Sequence, residues 1–409
     1  GGPAGLSAAL QAATSGVRVL LVDDNPQLGG SLNYARFDLA REEVDALRQD
    51  LLRKIVETPN IDVLTGATAN GWYADNWIPV VFGKQLLKVR CKEIILCTGS
   101  FDQLVPFRNN DLPGIMLGSA AQRLMHYYAV KPGHRAVVYA GNRDGYRVAI
   151  DLAEAGVDVV AVVDPRATQD HPVLAQALCV RGIDIVLGAE IVEAFSAFGN
   201  RHIRSVRIVE RNNQKAHHVE CDLLALSCCY MPVYQLALQA GAKLDYDEDT
   251  GQFALNDLPA HMRAAGSLAG QFGLRTVLAA GRQAAVSVVA ALGYKTDDII
   301  VPLDEERSVS NFALSLHAHA KGKDFVDLDE DLQIKDINHS VAAGYSELEL
   351  VKRFSTVGMG PSQGRHSALP TARIVAAATG RKVAETGVTT SRPPFGPEKL
   401  GALAGIQGS

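Results

Sequence analysis

Short apolar runs, separated by glycine-containing turns and by segments with helical spacing, dominate the first three hundred residues. The runs VRVLLVD (17–23), EIILC (93–97) and AVVYA (136–140) show little alternation of apolar and polar positions. Such runs are typical of parallel strands buried on both faces of a sheet. Because helical patterns alternate with them along the chain, the sequence predicts an α/β fold.

The opening segment GGPAGLSAALQAATSGVRVLLVDDNPQLGG carries most of a dinucleotide-binding motif. That motif needs a strand, a G-x-G-x-x-G turn, a helix, a second strand and an acid that binds the adenosine ribose. Gly2 and Gly5 fit the second and third glycines, Gly1 fits the variable position before them, and Asp23 follows Gly5 by 18 residues. We therefore expect a nucleotide at this helix N-terminus. We also expect the chain to be a fragment, because the first strand and first glycine are not in it.

Two later segments complete this first site. EIILCTGS (93–100) ends in a Thr-Gly turn, and RAAGSLAGQFGLRTVLAAGRQAA (263–285) supplies a returning strand and helix with Gly266 at the turn. Flavin-binding proteins of this type usually carry an Asp where Ser267 stands, so Ser267 favours NAD over FAD. The predicted cofactor-binding residues are Gly2, Pro3, Ala4, Gly5, Asp23, Asp24, Gly29, Gly30, Ser31, Thr98, Gly99, Gly266 and Ser267.

A second Rossmann-like unit follows at 134–166, but its turn is degenerate. The turn reads Ala140, Gly141, Asn142, Arg143, Asp144, Gly145, so two of the three glycines are lost. Asn142 adds a side chain where a pyrophosphate would approach, and Asp144 adds a negative charge there. We expect a unit without its cofactor. The alternative is an occupied site in which Arg143 supplies the counter-charge.

Several segments together resemble the alpha subunit of heterotetrameric sarcosine oxidase and, more distantly, the opine oxidase and hydrogen cyanide synthase flavoprotein subunits. They are NNDLPGIMLGSAAQRLMHYYAVKPG (109–133), GNRDGYRVAIDL (141–152), SCCYMPVYQLALQAGAKLDYD (227–247) and the last sixty residues. Cys228, Cys229 and Tyr230 depart from the family pattern. The resemblance implies two Rossmann-like dinucleotide-binding domains, the second inserted in the first as in glutathione reductase-like proteins, and then a small helical domain.

The same resemblance implies an oxidoreductase subunit of a complex that converts sarcosine, or a similar N-methyl amino acid, to glycine, hydrogen peroxide and a one-carbon unit passed to folate. It implies a beta subunit that carries FAD, small accessory subunits, and an FMN shared with a partner subunit. It further implies NAD in the first site here and tetrahydrofolate in a missing aminomethyltransferase domain. No catalytic residue is placed in this chain, because the family has the hydride-transferring groups in the partner.

The helical tail resembles a cluster-binding domain that has lost its cysteines. In opine oxidases four cysteines hold an iron–sulfur cluster; the matching positions here are Asp327, Asp329, Val357 and Ser362. Carboxylates and aliphatic groups do not replace thiolates around such a cluster, so we expect no iron–sulfur cluster and no metal. We expect the acidic run DLDED (327–331) to be a solvated helix start, Gly344 to end the first helix and Ser346 to be the N-cap of the second.

The loop TVGMGPSQGR (356–365) and the residues before it are candidates for a flavin or partner interface. The residues concerned are Lys352, Arg353, Gly360, Gln363, Gly364 and Arg365. The basic side chains suit a flavin phosphate from the partner. The alternative interpretation is a solvated basic patch, or salt bridges between these side chains and the acidic run.

The expected domain boundaries follow from these motifs. The first dinucleotide-binding domain takes 1–130 and 255–320, and the inserted second domain takes 131–254. The small helical domain takes 321–385, and 386–409 is a linker towards the missing aminomethyltransferase domain.

Composition and charge exclude several classes of function. The 409 residues carry a net charge of −5, which gives no basic surface for nucleic acid. No apolar run approaches the roughly 20 residues that cross a bilayer. Six cysteines without C-x-x-C spacing suit buried thiols in a cytoplasmic protein. The alternative functions are a self-contained NAD(P)H-dependent FAD oxidoreductase, an opine or amino-acid oxidase subunit, and a non-catalytic scaffold.

Overall fold

The computed structural model describes residues 1–197, 199, 201–296, 299–303, 312, 316 and 318–404. Within these residues the helices are α1 Pro3–Thr14, α2 Arg41–Glu57, α3 Gly118–Tyr128, α4 Arg143–Glu154, α5 Pro172–Val180, α6 Gln235–Gln239, α7 Leu274–Ala291, α8 Ile334–Ala342, α9 Leu348–Ser355, α10 Ala368–Thr379, α11 Val383–Thr386 and α12 Leu400–Leu403. The strands are β1 Val19–Asp23, β2 Ile61–Thr65, β3 Ala67–Ala69, β4 Trp77–Phe82, β5 Gln85–Arg90, β6 Ile94–Leu96, β7 Ser100–Asp102, β8 Ile115–Leu117, β9 Arg135–Ala140, β10 Asp158–Asp164, β11 Asp184–Leu187, β12 Ala189–Ser196, β13 Ile203–Glu210, β14 Ala216–Glu220, β15 Leu223–Ser227, β16 Tyr230–Pro232, β17 Lys243–Asp247, β18 Gln252–Asn256, β19 Met262–Ala264, β20 Phe325–Asp327 and β21 Leu332–Gln333.

The first nucleotide unit is assembled from both ends of the first three hundred residues. Strand β1 pairs in parallel with β2, and β6 pairs in parallel with the returning strand β19. Strands β3, β4 and β5 form an antiparallel sheet beside them. The predicted α/β class and the predicted insertion of one unit into another are therefore confirmed.

Helix α1 packs against α7 as well as against strands. Its alanines divide between two surfaces: Ala8 and Ala12 contact Ala285 and Val289 of α7, and Ala9 and Ala13 lie in a cluster with β1 and α2 side chains. The closest approach is at Gly281 of α7. A Cβ added there would lie 2.2 Å from the Ala4 carbonyl oxygen and 2.3 Å from Ser7 Oγ. The two helices can therefore lie in contact only because residue 281 has no side chain.

The second unit is a five-stranded parallel sheet in the order β11-β10-β9-β15-β8, backed by the antiparallel strands β12, β13 and β14. Its central strand is buried on both faces, with Ala136, Val137, Val138, Tyr139 and Ala140 all excluded from solvent. Strand β8 pairs with β15, although the sequence assigned residues up to 130 to the first domain. The pairing moves that boundary towards residue 114, because β8 and α3 belong to the second unit.

Two antiparallel strands join the units. Strand β7 leaves the first unit and β16 returns to it, and Asp102 lies opposite Tyr230 in their register. Below, this β7–β16 ribbon with its flanking residues is called the joint.

The tail forms a small helical domain around its own apolar cluster, which includes Val326, Ile337, Val351, Val357 and Ile374. Glu347, rather than the predicted Ser346, occupies the N-cap position of α9. The predicted linker does not lead away from the protein: Phe395 is buried, and its N–H donates to the Asn70 carbonyl at 3.2 Å. Within the described residues no helix is both long and apolar enough to cross a membrane.

Gly281→Ala should destabilise the chain by about 2 kcal/mol or more, because the new methyl group overlaps the α1 backbone. Gly401→Ala is the matched control, since no atom lies within 4 Å of its added Cβ. Chemical denaturation measures both free energies of unfolding. Equal stabilities of the two variants would contradict the close packing of α1 on α7.

Candidate functional site

The N-terminus of α1 and the Gly29–Gly30 turn form one surface. Gly2 occupies the N-cap position of α1, no side chain caps that end, and its first turn contains no acidic residue. Gly29 N donates to the Gly1 carbonyl at 2.8 Å, and Gly30 has a positive φ of 53°. A Cβ on Gly30 would lie 2.7 Å from Gly2 Cα. Uncapped N–H groups without nearby side chains are the structure that accepts a pyrophosphate.

The other predicted residues of this site lie around the same surface. A Cβ on Gly266 would lie 3.1 Å from Ala4 Cβ, and one on Gly99 would lie 3.7 Å from Ser267 Oγ. Gly5 packs against Cys97 at the end of β6, with 3.4 Å between the added Cβ and Cys97 Cβ. The first motif, the Thr-Gly turn and the returning segment are thus brought together. Pro3 takes the first helical position, and Ser31 lies in a short 3-10 helix, Gly30–Asn33.

Asp23 is positioned as a hydrogen-bond acceptor at the carboxyl end of β1. Its carboxylate accepts from Asn25 N at 2.8 Å and Asn25 Nδ2 at 3.0 Å. Asp23 is 8% exposed, and these bonds fix the orientation of its carboxylate. A carboxylate at the end of this strand is the group that binds a ribose in dinucleotide-binding folds. Asp24 beside it is exposed.

Thr98 and Gly99 attach this site to the joint. Thr98 Oγ1 donates to the Val233 carbonyl at 3.0 Å, and Val233 N donates to the Gly99 carbonyl at 3.0 Å. Gly99 has a φ of 82°, which favours glycine. The residues present therefore fit a dinucleotide whose adenosine end lies by Asp23 and whose pyrophosphate lies on α1.

The corresponding turn of the second unit is closed by its own side chains. Asn142 Oδ1 accepts from Gly145 N at 3.1 Å and so caps α4, which takes the N–H group that a phosphate would use. The Phe312 ring lies against Gly141, with its Cε1 2.4 Å from an added Cβ. Sequence reasoning had no signal for Phe312, because it comes from a distant segment.

The alternative role for Arg143 as a counter-charge to a nucleotide is not what the structure shows. Arg143 forms an ion pair with Asp38 of the first unit, and Arg147 binds the same carboxylate at 2.7 Å. Arg36 also crosses to the second unit, with bonds of 3.0 Å to Asp151 and 2.6 Å to Glu154. The basic residues of this turn therefore hold the two units together.

The ribose-binding position of the second unit is also engaged internally. Asp164, at the end of β10, accepts from Tyr146 OH at 2.8 Å and from Arg166 Nη2 at 2.7 Å. Asp164 is fully buried. Together with the capped turn, these bonds support the expectation that the second unit has a nucleotide-binding fold without a cofactor. The groups that would bind the cofactor are bonded to other residues of the protein.

A buried carboxyl that sequence reasoning missed lies in the joint. Asp102 Oδ2 accepts from Ser119 N at 3.0 Å, and burial raises its pKa to about 6. Opposite it, Tyr230 OH donates to Asp144 Oδ2 at 2.9 Å. Asp102 looks unremarkable in the sequence, since only long-range contacts make it buried.

The acidic run of the tail is not the solvated helix start that we expected. Asp327 is 3% exposed; its Oδ2 accepts from Gly358 N at 2.7 Å and from Ser367 Oγ at 3.0 Å. Asp329 Oδ2 accepts from Ser362 N at 2.8 Å. The two carboxylates therefore attach the 356–365 loop to the start of the domain. Among the described residues, no group of three or more His, Cys, Asp or Glu side chains is arranged to hold a metal.

The predicted interface residues differ in their exposure to solvent. Arg365 is half-buried, and its guanidinium lies 5.1 Å from the Phe101 ring centroid and 5.6 Å from that of Phe395. Burial lowers the pKa of Arg365, and Asp24 offsets this only in part. Arg353 is exposed, and Lys352 is half-buried on the same helix. The carboxylates of Asp327 and Asp329 bind N–H groups of the loop, so the alternative of salt bridges from these basic side chains to the acidic run has no support among the described residues.

The glycines of the loop fix its shape. Gly364 has a φ of 77° and packs on Gly358, with 3.4 Å between its added Cβ and Gly358 Cα. A Cβ on Gly360 would lie 2.3 Å from Asp329 Cβ, and Gln363 has a φ of 51°. Gln103 Nε2 donates to the Arg365 carbonyl at 2.8 Å, which connects the loop to the joint.

All six cysteines carry free thiols, but only Cys221, Cys228 and Cys229 are buried. Cys179 is exposed, which differs from the expectation of buried thiols. Burial raises the pKa of both Cys228 and Cys229. Neither thiol of this adjacent pair is therefore readily ionised, as a redox-active pair would need.

Comparison with known protein families agrees with the two-unit architecture. The family model described as pyridine nucleotide-disulphide oxidoreductase matches residues 1–298, which is most of the chain. The chain belongs to this family. A second model, the sarcosine oxidase A3 domain, matches residues 321–406 and includes the segment expected to be a linker.

Curated relatives confirm the resemblance inferred from sequence. The sarcosine oxidase alpha subunit of Rhizobium meliloti (strain 1021) is 32% identical over 99% of this chain and 41% of that protein. An opine oxidase subunit of Agrobacterium tumefaciens (strain Ach5) is 25% identical over 98% of this chain and 90% of that protein. The chain thus spans less than half the length of this sarcosine oxidase relative. Both relatives are named as subunits.

Solved structures share the fold. L-proline dehydrogenase from P. horikoshii superposes with a TM-score of 0.71 at 22% identity, covering 98% of this chain and 78% of that one. Thioredoxin reductase of T. acidophilum covers 71% of this chain and 96% of its own length, with a TM-score of 0.58 at 18% identity. These likenesses describe architecture alone.

Asp327→Asn should loosen the tail by about 1–3 kcal/mol, because an amide nitrogen then faces the Gly358 and Ser367 donors. Asp331→Asn is the control, since Asp331 is exposed and Asn tolerates its φ of 54°. Hydrogen exchange at the amides of residues 358 and 362 reports the change. Unaltered protection in Asp327→Asn would show that the carboxylate does not hold the loop.

Proposed function

We propose that the chain is the dinucleotide-binding part of a sarcosine-oxidase-like complex, which oxidatively demethylates sarcosine or a similar N-methyl amino acid. The products are glycine, hydrogen peroxide and a one-carbon unit passed to folate. The observation that carries the proposal is the contrast between an open cradle on α1 and a closed turn on α4. One chain therefore offers one nucleotide site, which suits a component of a larger complex, whereas a self-contained reductase needs two.

NAD is the favoured occupant of the first unit, and FAD is the alternative. Ser267 lies beside Gly99, at the position where flavin-binding relatives carry a carboxylate for the ribityl chain. Gly2, Pro3, Ala4 and Gly5 would receive the pyrophosphate, with Gly29, Gly30 and Ser31 closing over it. Asp23 and Asp24 would face the ribose. A dinucleotide supplies hydride chemistry where it takes part in a reaction, and this chain's residues bind and orient it.

The catalytic steps belong to partners in this proposal. An FAD-bearing beta subunit would oxidise the amine, small accessory subunits would complete the complex, and tetrahydrofolate would accept the one-carbon unit outside this chain. The 356–365 loop would lie at the boundary where an FMN is shared with a partner. Six free thiols suit a reducing compartment, and we place the complex in the cytoplasm.

Arg365 supports the boundary role. Its backbone is fixed by bonds to Ser362 and Gln103, and its guanidinium has aromatic neighbours but no carboxylate in an ion pair among the described residues. A half-buried cation in this state suits a phosphate. Lys352, Arg353, Gly360, Gln363 and Gly364 would form the remainder of that surface.

Nucleotide binding by the isolated chain tests the first-unit proposal. Gly30→Ala should weaken NAD binding at least about tenfold, because the methyl group enters the cradle beside Gly2. Gly16→Ala is a strict control: Gly16 has a φ of 83°, so the strain is similar, but no atom lies within 4 Å. Calorimetry gives the dissociation constants for NAD and for FAD, and the tighter ligand is the cofactor of this site. A chain that binds neither, yet still assembles with its partner, would favour a scaffold.

Assembly with the flavin-bearing partner tests the loop. Arg365→Ala should raise the dissociation constant of the complex roughly tenfold, and Arg365→Lys should raise it less. Inorganic phosphate should weaken assembly of the wild type, because it would occupy the guanidinium of Arg365. Arg18→Ala, an exposed arginine of the first unit, is the control. Sedimentation at several protein concentrations gives the dissociation constants. If Arg365→Ala and Arg18→Ala behave alike, the loop is not a phosphate-binding boundary.

A further inference from the structure

Three buried polar atoms in and beside the joint have no hydrogen-bond partner among the described residues. They are Asp102 Oδ1, Gln103 Oε1 and Asn142 Nδ2, and their residues are 2%, 0% and 3% exposed. Buried polar groups are almost always paired, so this group of atoms needs an explanation. Gln103 Nε2 donates to the Arg365 carbonyl, so that side chain belongs to the contact with the tail. The other two atoms are an acceptor, Asp102 Oδ1, and a donor, Asn142 Nδ2.

The rest of each side chain is engaged, which fixes its orientation. Asp102 Oδ2 accepts from Ser119 N in the first turn of α3. Asn142 Oδ1 accepts from Gly145 N at 3.1 Å and from Ser227 Oγ at 3.3 Å, so its amide nitrogen is the group left over. Ser119 follows β8 and Ser227 ends β15, which are neighbouring strands of the second sheet, so both contacts lie at the carboxyl edge of that sheet. This is the edge where open α/β sheets bind ligands.

An aromatic pair stands beside these atoms. The rings of Tyr230 and Phe272 are 5.6 Å apart with an interplanar angle of 32°. Tyr230 lies opposite Asp102 in the β7–β16 register, and its hydroxyl is fixed on Asp144. Asp144 is itself paired with Arg147 at 2.9 Å. Two aromatic rings therefore stand at this place, and Asp144 links Tyr230 to Arg147.

The region is continuous with the first nucleotide site. Asp102 follows Gly99 by three residues along the same extended segment, and Phe272 follows the Gly266–Ala269 turn. Gly99 itself lies beside Ser267 of the first site, with 3.7 Å between an added Cβ and Ser267 Oγ. The segment that carries Asp102 therefore begins at the first nucleotide site and leads into the joint.

We propose that Asp102, Asn142, Tyr230 and Phe272, which we call the joint site, bind the amide edge of the distal ring of a dinucleotide on the first unit. The inference rests on the proposed function, because it needs a dinucleotide on the first unit. An amide edge presents an N–H to Asp102 Oδ1 and a carbonyl oxygen to Asn142 Nδ2, while the ring lies against the aromatic pair. The carboxamide of nicotinamide and the imide edge of a flavin share this chemistry.

Three ligands that share the ADP-ribose part distinguish binding of the distal ring from binding of the adenosine and pyrophosphate. NAD carries the carboxamide, its deamido analogue carries a carboxylate instead, and ADP-ribose has no distal ring. The wild type should bind NAD about tenfold or more tightly than the deamido analogue, because a second carboxylate is repelled by Asp102 and leaves it unpaired. ADP-ribose reports only the adenosine and pyrophosphate contacts.

Asp102→Asn is the main variant, since it retains an acceptor for Ser119 N, removes a buried acid and places a donor at the Oδ1 position. It should lower NAD affinity about tenfold, raise affinity for the deamido analogue, and leave ADP-ribose within about twofold. Asn142→Ser, which keeps a capping oxygen but removes the amide donor, should lower NAD affinity alone. Asp158→Asn, exposed at the opposite edge of the same sheet, is the control.

Calorimetry with the isolated chain distinguishes the outcomes. Equal losses for NAD and ADP-ribose in Asp102→Asn would overturn the joint site, because the carboxylate would then act on the fold or on bound water alone. Failure of the wild type to bind ADP-ribose would instead overturn the first-unit proposal. If FAD is the ligand that binds, the ratio of FAD to ADP-ribose affinity takes the place of the NAD ratio, and the same variants must change it.

Discussion

The contact between α1 and α7 at Gly281 determines where the first nucleotide site can form. With no side chain at 281, the α7 backbone lies against Ala4 and Ser7, so α1 is held along the same turn that presents its N-terminus. Gly266 meets Ala4 from the other side. The N–H groups that would bind a pyrophosphate are therefore positioned by packing rather than by side-chain hydrogen bonds. A preorganised site of this kind costs little to order when a ligand binds.

The second unit shows how the same fold uses a nucleotide turn for assembly. An N-terminus of a helix favours negative charge, whether it comes from a phosphate or from a side chain. Here Asn142 caps α4, and Arg143 and Arg147 take the Asp38 carboxylate of the first unit. Arg36 adds bonds to Asp151 and Glu154. The arginines that could bind a nucleotide instead form ion pairs between the two units. These ion pairs favour one fixed orientation of the units over a mobile hinge.

Local spacing was enough to predict the first cradle, because Gly2, Gly5 and Asp23 act through one strand and one helix. Sequence could not place β8, whose position depends on pairing with β15 more than a hundred residues later. Nor could it show that Phe395 is buried, since its partner Asn70 lies in the first unit. Asp102 was missed for the same reason: its burial and its neighbours all come from other segments. The misplaced features share a dependence on long-range contacts that no periodicity encodes.

The tail shows how two carboxylates can fix the shape of a loop. Asp327 and Asp329, at the start of the domain, accept hydrogen bonds from the N–H groups of residues 358 and 362. Carboxylates that accept backbone N–H bonds in a buried setting are strong acceptors, so they hold the loop in its shape. Because that loop also presents Arg365 beside Phe101 of the joint, its shape matters to the nucleotide-binding units as well as to the tail.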